Sequence, residues 1–318
     1  MEYAFKEGQK LMRRASKKLG TQFLGGTEDR RFRSYFGVGA HVCSLAWNMM
    51  MEKEVVPPKI QFKHYLWALM FMKLYPANEI EMCVALGGID PKTMRKHVWP
   101  AIGAIFELHF HVVSLFMLLC YYNWNCQLFP NLYWRTLPQI LWENRKRGDT
   151  GNDCLISNDG TDLILAMKYL KELHSYKFKH AALRYEVGLG IKTGDICWWN
   201  GPFEPGLYND EMIFKMGLRG MLEDGERIET DMGYRGSAPM HVKCPGTITF
   251  DQATKKMQQN VRCRQETVNK RLKQWNILMA RYRHDLLAHQ KVFGAIISLT
   301  QLSIENGEPL YGVEYNDV

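Results

Sequence analysis

Apolar positions along this chain change period near its middle. In the first half they recur at helical spacing, and in the second they come in short strand-like runs bounded by glycine and turn residues. Residues 62–75 read as an apolar helix, and Asn78 can cap a second one running through Leu86. Gly87-Gly88 then turns the chain. Asp90 followed by Pro91 gives an N-cap and a first-turn proline for a third helix, from Lys92 to about Val98, with Pro100 bending or ending it. Two helices, a glycine turn and a third helix bearing Lys92, Thr93, Arg95, Lys96 and His97 make a helix-turn-helix pattern at about residues 62–99. A structural helical hairpin with a solvated basic face gives the same pattern.

In the second half the run Cys154-Leu155-Ile156-Ser157-Asn158 closes on Asp159, and Ile228-Glu229-Thr230 closes on Asp231, so both acids read as strand ends. Residues 184–191 and 196–199, joined by Lys192-Thr193-Gly194-Asp195, read as a hairpin. Residues 209–222 read as an amphipathic helix. Residues 261–275 contain no Gly or Pro and read as another, with Val261, Val268, Leu272 and Trp275 on one apolar stripe that should pack on a sheet. Glu266 lies off that stripe, and Arg262 and Lys273 share its face, so one carboxylate stands between two cations. Arg145-Lys146-Arg147-Gly148, followed by Asp149, Gly151 and Asn152, reads as an interdomain linker, which divides the chain into a helical domain, 1–148, and an α/β domain, 149–318.

Composition narrows the chemistry. A chain of 318 residues with 46% hydrophobic positions can bury cores for two domains, and a formal charge of +8 favours a polyanionic partner. The 8 cysteines show no Cys-x-x-Cys pair and no secretory leader precedes them, which fits a reducing compartment. His109, His111, Cys120 and Cys126 lie scattered in an apolar stretch and read as core residues rather than a zinc site. The run at 112–122 is too short to span a bilayer, so no membrane association is expected. Ser, Cys and His form no convincing nucleophile set. Asp159, Asp231 and Glu266 instead offer the oxygen ligands that hard cations take, which points to phosphodiester chemistry. Asp162 and Asp210 compete as ligands: Asp162 should point to the opposite face of its strand, and Asp210 opens a helix, where an acid has an ordinary role against the macrodipole.

Asp159-Gly160-Thr161, Asp231-x-Gly233-Tyr234, and Arg262, Glu266 and Lys273 in an Arg-x3-Glu-x6-Lys pattern resemble the DDE superfamily transposases and endonucleases, with the PIF/Harbinger-like group nearest and bacterial insertion-sequence transposases related. The Pro205-Gly206 to Asp210 segment and the Asp231 to Glu266 interval also suit that group, and the resemblance covers roughly residues 25–315. Gln259 departs from it, since bacterial relatives often carry Tyr there, three residues before the motif arginine; how the strand end is held stays open. The resemblance implies an RNase H-like catalytic domain preceded by an α-helical domain with a helix-turn-helix, and it selects Asp159 over Asp162. It implies that Asp159, Asp231 and Glu266 bind two Mg²⁺ or Mn²⁺ ions, which activate water to cut transposon ends and then the resulting 3′-hydroxyl to attack target DNA. Arg262 and Lys273 would grip phosphates, and Lys92, Arg95 and Lys96 would serve end recognition. Double-stranded DNA is the implied partner, bound by a homo-oligomer with or without an accessory DNA-binding protein. The implied place of action is the nucleus in a eukaryote, or otherwise the cytoplasm with the DNA. A domesticated DNA-binding protein without transposition, and a nuclease that cuts without joining, are the alternatives.

Overall fold

The structure, a computed structural model, describes residues 1–19, 28–109, 142, 145–146, 153–167, 170–246 and 252–313. The apolar run at 112–122, with His111, Cys120 and Cys126, and the linker candidate at 147–152 lie outside the described residues.

Helices α1 (Glu2–Leu19), α2 (Glu28–Phe36), α3 (Ala40–Glu52), α4 (Phe62–Leu74), α5 (Glu79–Ala85) and α6 (Pro91–Glu107) occupy the first part of the chain. Helix α4 has almost no polar stripe, and it is central for that reason: Tyr65, Leu66, Ala68, Leu69, Met70 and Met72 are all buried, with α2 and α6 packed against it. The capping residues act as their types dictate. Asn78 accepts from the Ile80 N–H at 2.9 Å and Asp90 from the Thr93 N–H at 3.0 Å, with Pro91 at the start of α6. Gly87 and Gly88 take positive φ between α5 and α6, so the helix, glycine turn and helix are present as expected. Helix α6, however, continues through Pro100 to Glu107. A proline inside a helix costs about 3 kcal/mol. Burial of Ala101, Ile102, Ala104 and Ile105 beyond it offsets that cost.

The second part supplies a mixed sheet: β1 (Cys154–Ile164), β2 (His174–Ser175), β3 (His180–Gly190), β4 (Ile196–Phe203), β5 (Arg227–Glu229) and β6 (Val242–Lys243). The order is β2-β3-β1-β5-β6, with β4 also paired to β3. Strands β1, β2 and β4 run antiparallel to β3, whereas β5 is parallel to β1 and β6 to β5. The expected hairpin is the β3/β4 pair. Helix α7 (Asp210–Met216) is shorter than the expected 209–222 because it breaks at Gly217, whose missing Cβ would stand 2.7 Å from Asn200 Nδ2; a 3-10 turn, Leu218–Met221, follows. Three helices complete the chain: α8 (Gln252–Lys273), α9 (Asn276–Met279) and α10 (Leu286–Glu305).

Two compact units result, and no single cut in the sequence separates them. The first comprises Met1–Val112, Leu272–Ala280 and Lys291–Glu308; the second comprises Val113–Arg271, Arg281–Gln290 and Pro309–Val318. The C-terminal segments join the helical unit because they are apolar: Val292, Phe293, Ile296, Ile297 and Leu299 are fully buried. Trp275 belongs to this unit too, beyond the end of α8. Its ring lies against Gly37, which holds φ +80 and where a Cβ would come within 2.3 Å of the indole. The fold is therefore mixed α/β, with helices first and the sheet afterwards. Among the described residues no helix is long and apolar enough to cross a membrane.

Candidate functional site

The parallel pairing of β1 with β5 sets the geometry. Ser157 stands opposite Glu229 on the last rung. Two residues further along each chain come Asp159 and Asp231, which the alternation of side chains assigns to the face of Ser157 and Glu229. Asp231 follows the end of β5, as expected. Asp159 differs: it lies inside β1, paired with Val187 of β3, and what ends beside it is its β5 neighbour.

Helix α8 crosses this face through a row of amides. Gln258 Nε2 donates to Glu229 at 3.1 Å, the Ser157 hydroxyl donates to Gln265 Oε1 at 2.9 Å, and Asn269 Nδ2 donates to Asp159 Oδ2 at 2.7 Å. Gln265 also donates to the Val187 carbonyl at 2.8 Å. Spacings of seven and four keep these three residues on one stripe. The flanking Val261 and Val268 are buried. The seam was readable as that spacing, but a search for apolar and charged positions passes over neutral amides. It also answers what Gln259 left open: Gln259 is exposed, and Asn269 holds the strand at Asp159.

Electrostatically, Asp159 is a confined acid. Burial, then the charges of Asp231 and Asp210, push its carboxyl up to about 6. Asp231 is exposed, and its Oδ1 accepts from the Gly233 N–H at 2.8 Å. Asp210, at the start of α7, reaches into the space that two glycines leave: a Cβ on Gly160 would meet its Oδ1 at 2.3 Å, and one on Gly233 its Oδ2 at 3.1 Å. Burial raises its pKa against the pull of Arg184, which it meets at 3.2 Å. Asp162 is on the other face of β1, as its spacing requires, and is occupied by Arg184 at 2.7 Å and the Ser175 hydroxyl at 2.6 Å.

Glu266 stands apart. Arg264, on one flank of α8, donates to the carbonyls of Gly190 and Ile191 at the end of β3. Two residues on is about 200° around a helix, so Glu266 is on the opposite flank of α8, and it is exposed. Among the described residues no three His, Cys, Asp or Glu side chains form a group that could hold a metal ion, so Asp159, Asp231 and Glu266 are not gathered around one point. Asp159 and Asp231 share a face, and the α8 residue that meets Asp159 is Asn269.

The Asp-x-Gly-Tyr element has a second use. Tyr234 is buried, and its hydroxyl lies 3.2 Å from Asn158 Nδ2 and 3.5 Å from Glu186 Oε1. Glu186, directly across from Gly160, also accepts from Asn158 at 2.7 Å and Trp198 Nε1 at 2.9 Å, and burial pushes it up to about 7. The sequence signal for this network was weak, since a lone glutamate in an apolar strand has no spacing partner.

Of the cationic candidates, Arg262 is half-buried and donates to the Gln258 carbonyl of its own helix at 3.3 Å, and Lys273 is half-buried in the last turn of α8. Lys92, Arg95 and Lys96 are exposed along α6 while Met94 and Val98 are buried, and Arg95 is paired with Glu79 of α5 at 2.8 Å. Comparison of the chain with protein-family models, with curated proteins and with solved structures gives no match.

Proposed function

We propose that this chain is a divalent-metal-dependent DNA endonuclease of the DDE transposase type, cutting transposon ends and joining them to target DNA. The observation that carries the reading is the β1/β5 register, with Asp159 and Asp231 on one face beneath the helix that bears Glu266. Strand order supports it as well. In β4-β3-β1-β5-β6, three antiparallel strands are followed by two parallel to the first, the arrangement expected of an RNase H-like domain.

The residues fit the cation such an enzyme needs. Asp159 is crowded by Asp231 and Asp210, and the amide oxygen of Asn269 beside it is buried with no partner. Arg184 answers Asp210, and the carboxylates of Asp159 and Asp231 with the Asn269 amide oxygen are hard oxygen donors of the kind Mg²⁺ or Mn²⁺ takes. When bound, a pair of these ions activates the entering oxygen and neutralises the leaving one. The chain's own part is to hold those ligands level on a rigid sheet, to bring Glu266 in on α8, and to fix phosphates with Arg262 and Lys273. Lys92, Arg95 and Lys96 on α6 would dock the duplex, with a homo-oligomer on DNA and, in a eukaryote, the nucleus as the setting.

One observation favours a second reading, a domesticated DNA-binding protein. The exposed Glu266 and the absence of a three-carboxylate group among the described residues are what a site relieved of catalysis would have. Duplex oligonucleotides carrying any inverted repeats found beside the coding region separate the possibilities. Release of 3′-hydroxyl ends in Mg²⁺ but not in EDTA, followed by their joining to a second duplex, supports the transposase. Cutting without joining makes it a nuclease, and binding without cutting makes it a DNA-binding protein.

A further inference from the structure

We propose that Asn269 is a positioning residue of this site: it orients the Asp159 carboxylate through its amide N–H and offers its amide oxygen to the coordination shell of the cation. This rests on the metal-dependent reading above. Two observations converge on it. Asn269 Nδ2 donates to Asp159 Oδ2 at 2.7 Å, which leaves Oδ1 of Asp159 directed elsewhere and fixes which way the amide of Asn269 faces. The Asn269 Oδ1 on the same amide is then buried and has no hydrogen-bond partner. A buried acceptor left without a donor is destabilising, and such groups call for a use.

The chemistry of the neighbourhood supplies that use. Asp159, Asp210 and Asp231 already crowd negative charge into one region. A fourth carboxylate would add repulsion, whereas an amide adds an oxygen donor without charge, and Mg²⁺ and Mn²⁺ accept carboxamide oxygens or waters held by them. Asn269 is also three residues beyond Glu266, one turn along α8. Ordering its amide thus ties the helix of Glu266 to the strand of Asp159. Gln258 and Gln265 make the same helix-to-strand connection, but neither is left with a buried, unpartnered oxygen.

Titrating the full-length protein with Mn²⁺ at neutral pH, with free Mn²⁺ read by electron paramagnetic resonance, tests this without any activity. The parent should bind, Asp159→Asn should not, and Asn269→Ala should bind roughly 10- to 100-fold more weakly. If Asn269→Ala does not fold, Asn269→Ser, too short to bridge to Asp159, should show the same weakening. Parent-like Mn²⁺ affinity in the folded Ala or Ser variant, with Asp159→Asn inactive in binding, overturns the role of Asn269 and leaves the metal site standing. Failure of the parent itself to bind Mn²⁺ overturns both.

Discussion

Asp159 and Glu186 keep their protons to higher pH in the folded protein than in the unfolded chain, to about 6 and about 7 respectively, chiefly because both are removed from water. Between the unfolded and folded pKa values the native state binds more protons, so stability falls as pH rises through that window. For the fully buried Glu186 the loss is on the order of 3 kcal/mol, complete above about pH 7. Urea midpoints should therefore drop between pH 5 and pH 8, and Glu186→Gln should flatten the profile. A parent profile already flat over that range would contradict the burial argument. The fate of Glu266 belongs here too. Glu266→Gln keeps size and removes the charge a hard cation needs, so DNA binding in Ca²⁺ should persist or strengthen, while Lys273→Ala should weaken binding and spare the metal. Equal loss of DNA binding in both variants would show that the two residues are not divided between ion and phosphate. Sequence patterning set Asp159 and Asp231 at the ends of two apolar runs, and the β1/β5 register puts them on one face. It did not reveal that Asn269 meets Asp159, because nothing in a period marks which face of α8 lies over which strand.

Helix α6 presents its basic residues outward and its apolar ones inward, so the part of the helix-turn-helix pattern governed by caps and glycines was legible: Asn78, Gly87-Gly88, Asp90 and Pro91 all act locally. The continuation through Pro100 was not, since burial against other helices decided it and a local rule about proline cannot weigh burial. As a DNA-docking element, α6 should lose affinity when Lys92, Arg95 and Lys96 are replaced by Ala, with a shallower dependence on salt by roughly one counterion per phosphate contact removed. Glu79 holds Arg95 in an exposed pair. Glu79→Ala should then tighten DNA binding modestly, by removing a negative charge from the same surface. Binding isotherms at several salt concentrations check both; unchanged slopes in the triple variant would take α6 out of the DNA interface.

The two compact units exchange chain segments, which no reading of local patterns anticipated, because the apolar character of α10 says that it is buried without saying where. Residues 1–148 produced alone would lack Leu272–Ala280 and Lys291–Glu308 and leave apolar surface of the helical unit uncovered. That fragment should bind hydrophobic dyes and unfold without a sharp transition; cooperative unfolding with no dye binding would show the helical unit to be complete without them. For the full chain the decisive experiment is Mn²⁺-dependent nicking of supercoiled plasmid by the parent and by Asp159→Asn, Asp231→Asn, Glu266→Gln and Asp210→Asn, with DNA binding measured in Ca²⁺ alongside. The parent should nick in Mn²⁺ and not in EDTA. The Asp159, Asp231 and Glu266 variants should each lose nicking by a factor of 100 or so (~3 kcal/mol in barrier) while still binding DNA, and Asp210→Asn should retain it. A parent that binds DNA but nicks with no cation, or a Glu266→Gln variant that nicks as well as the parent, would contradict the three-acid metal site.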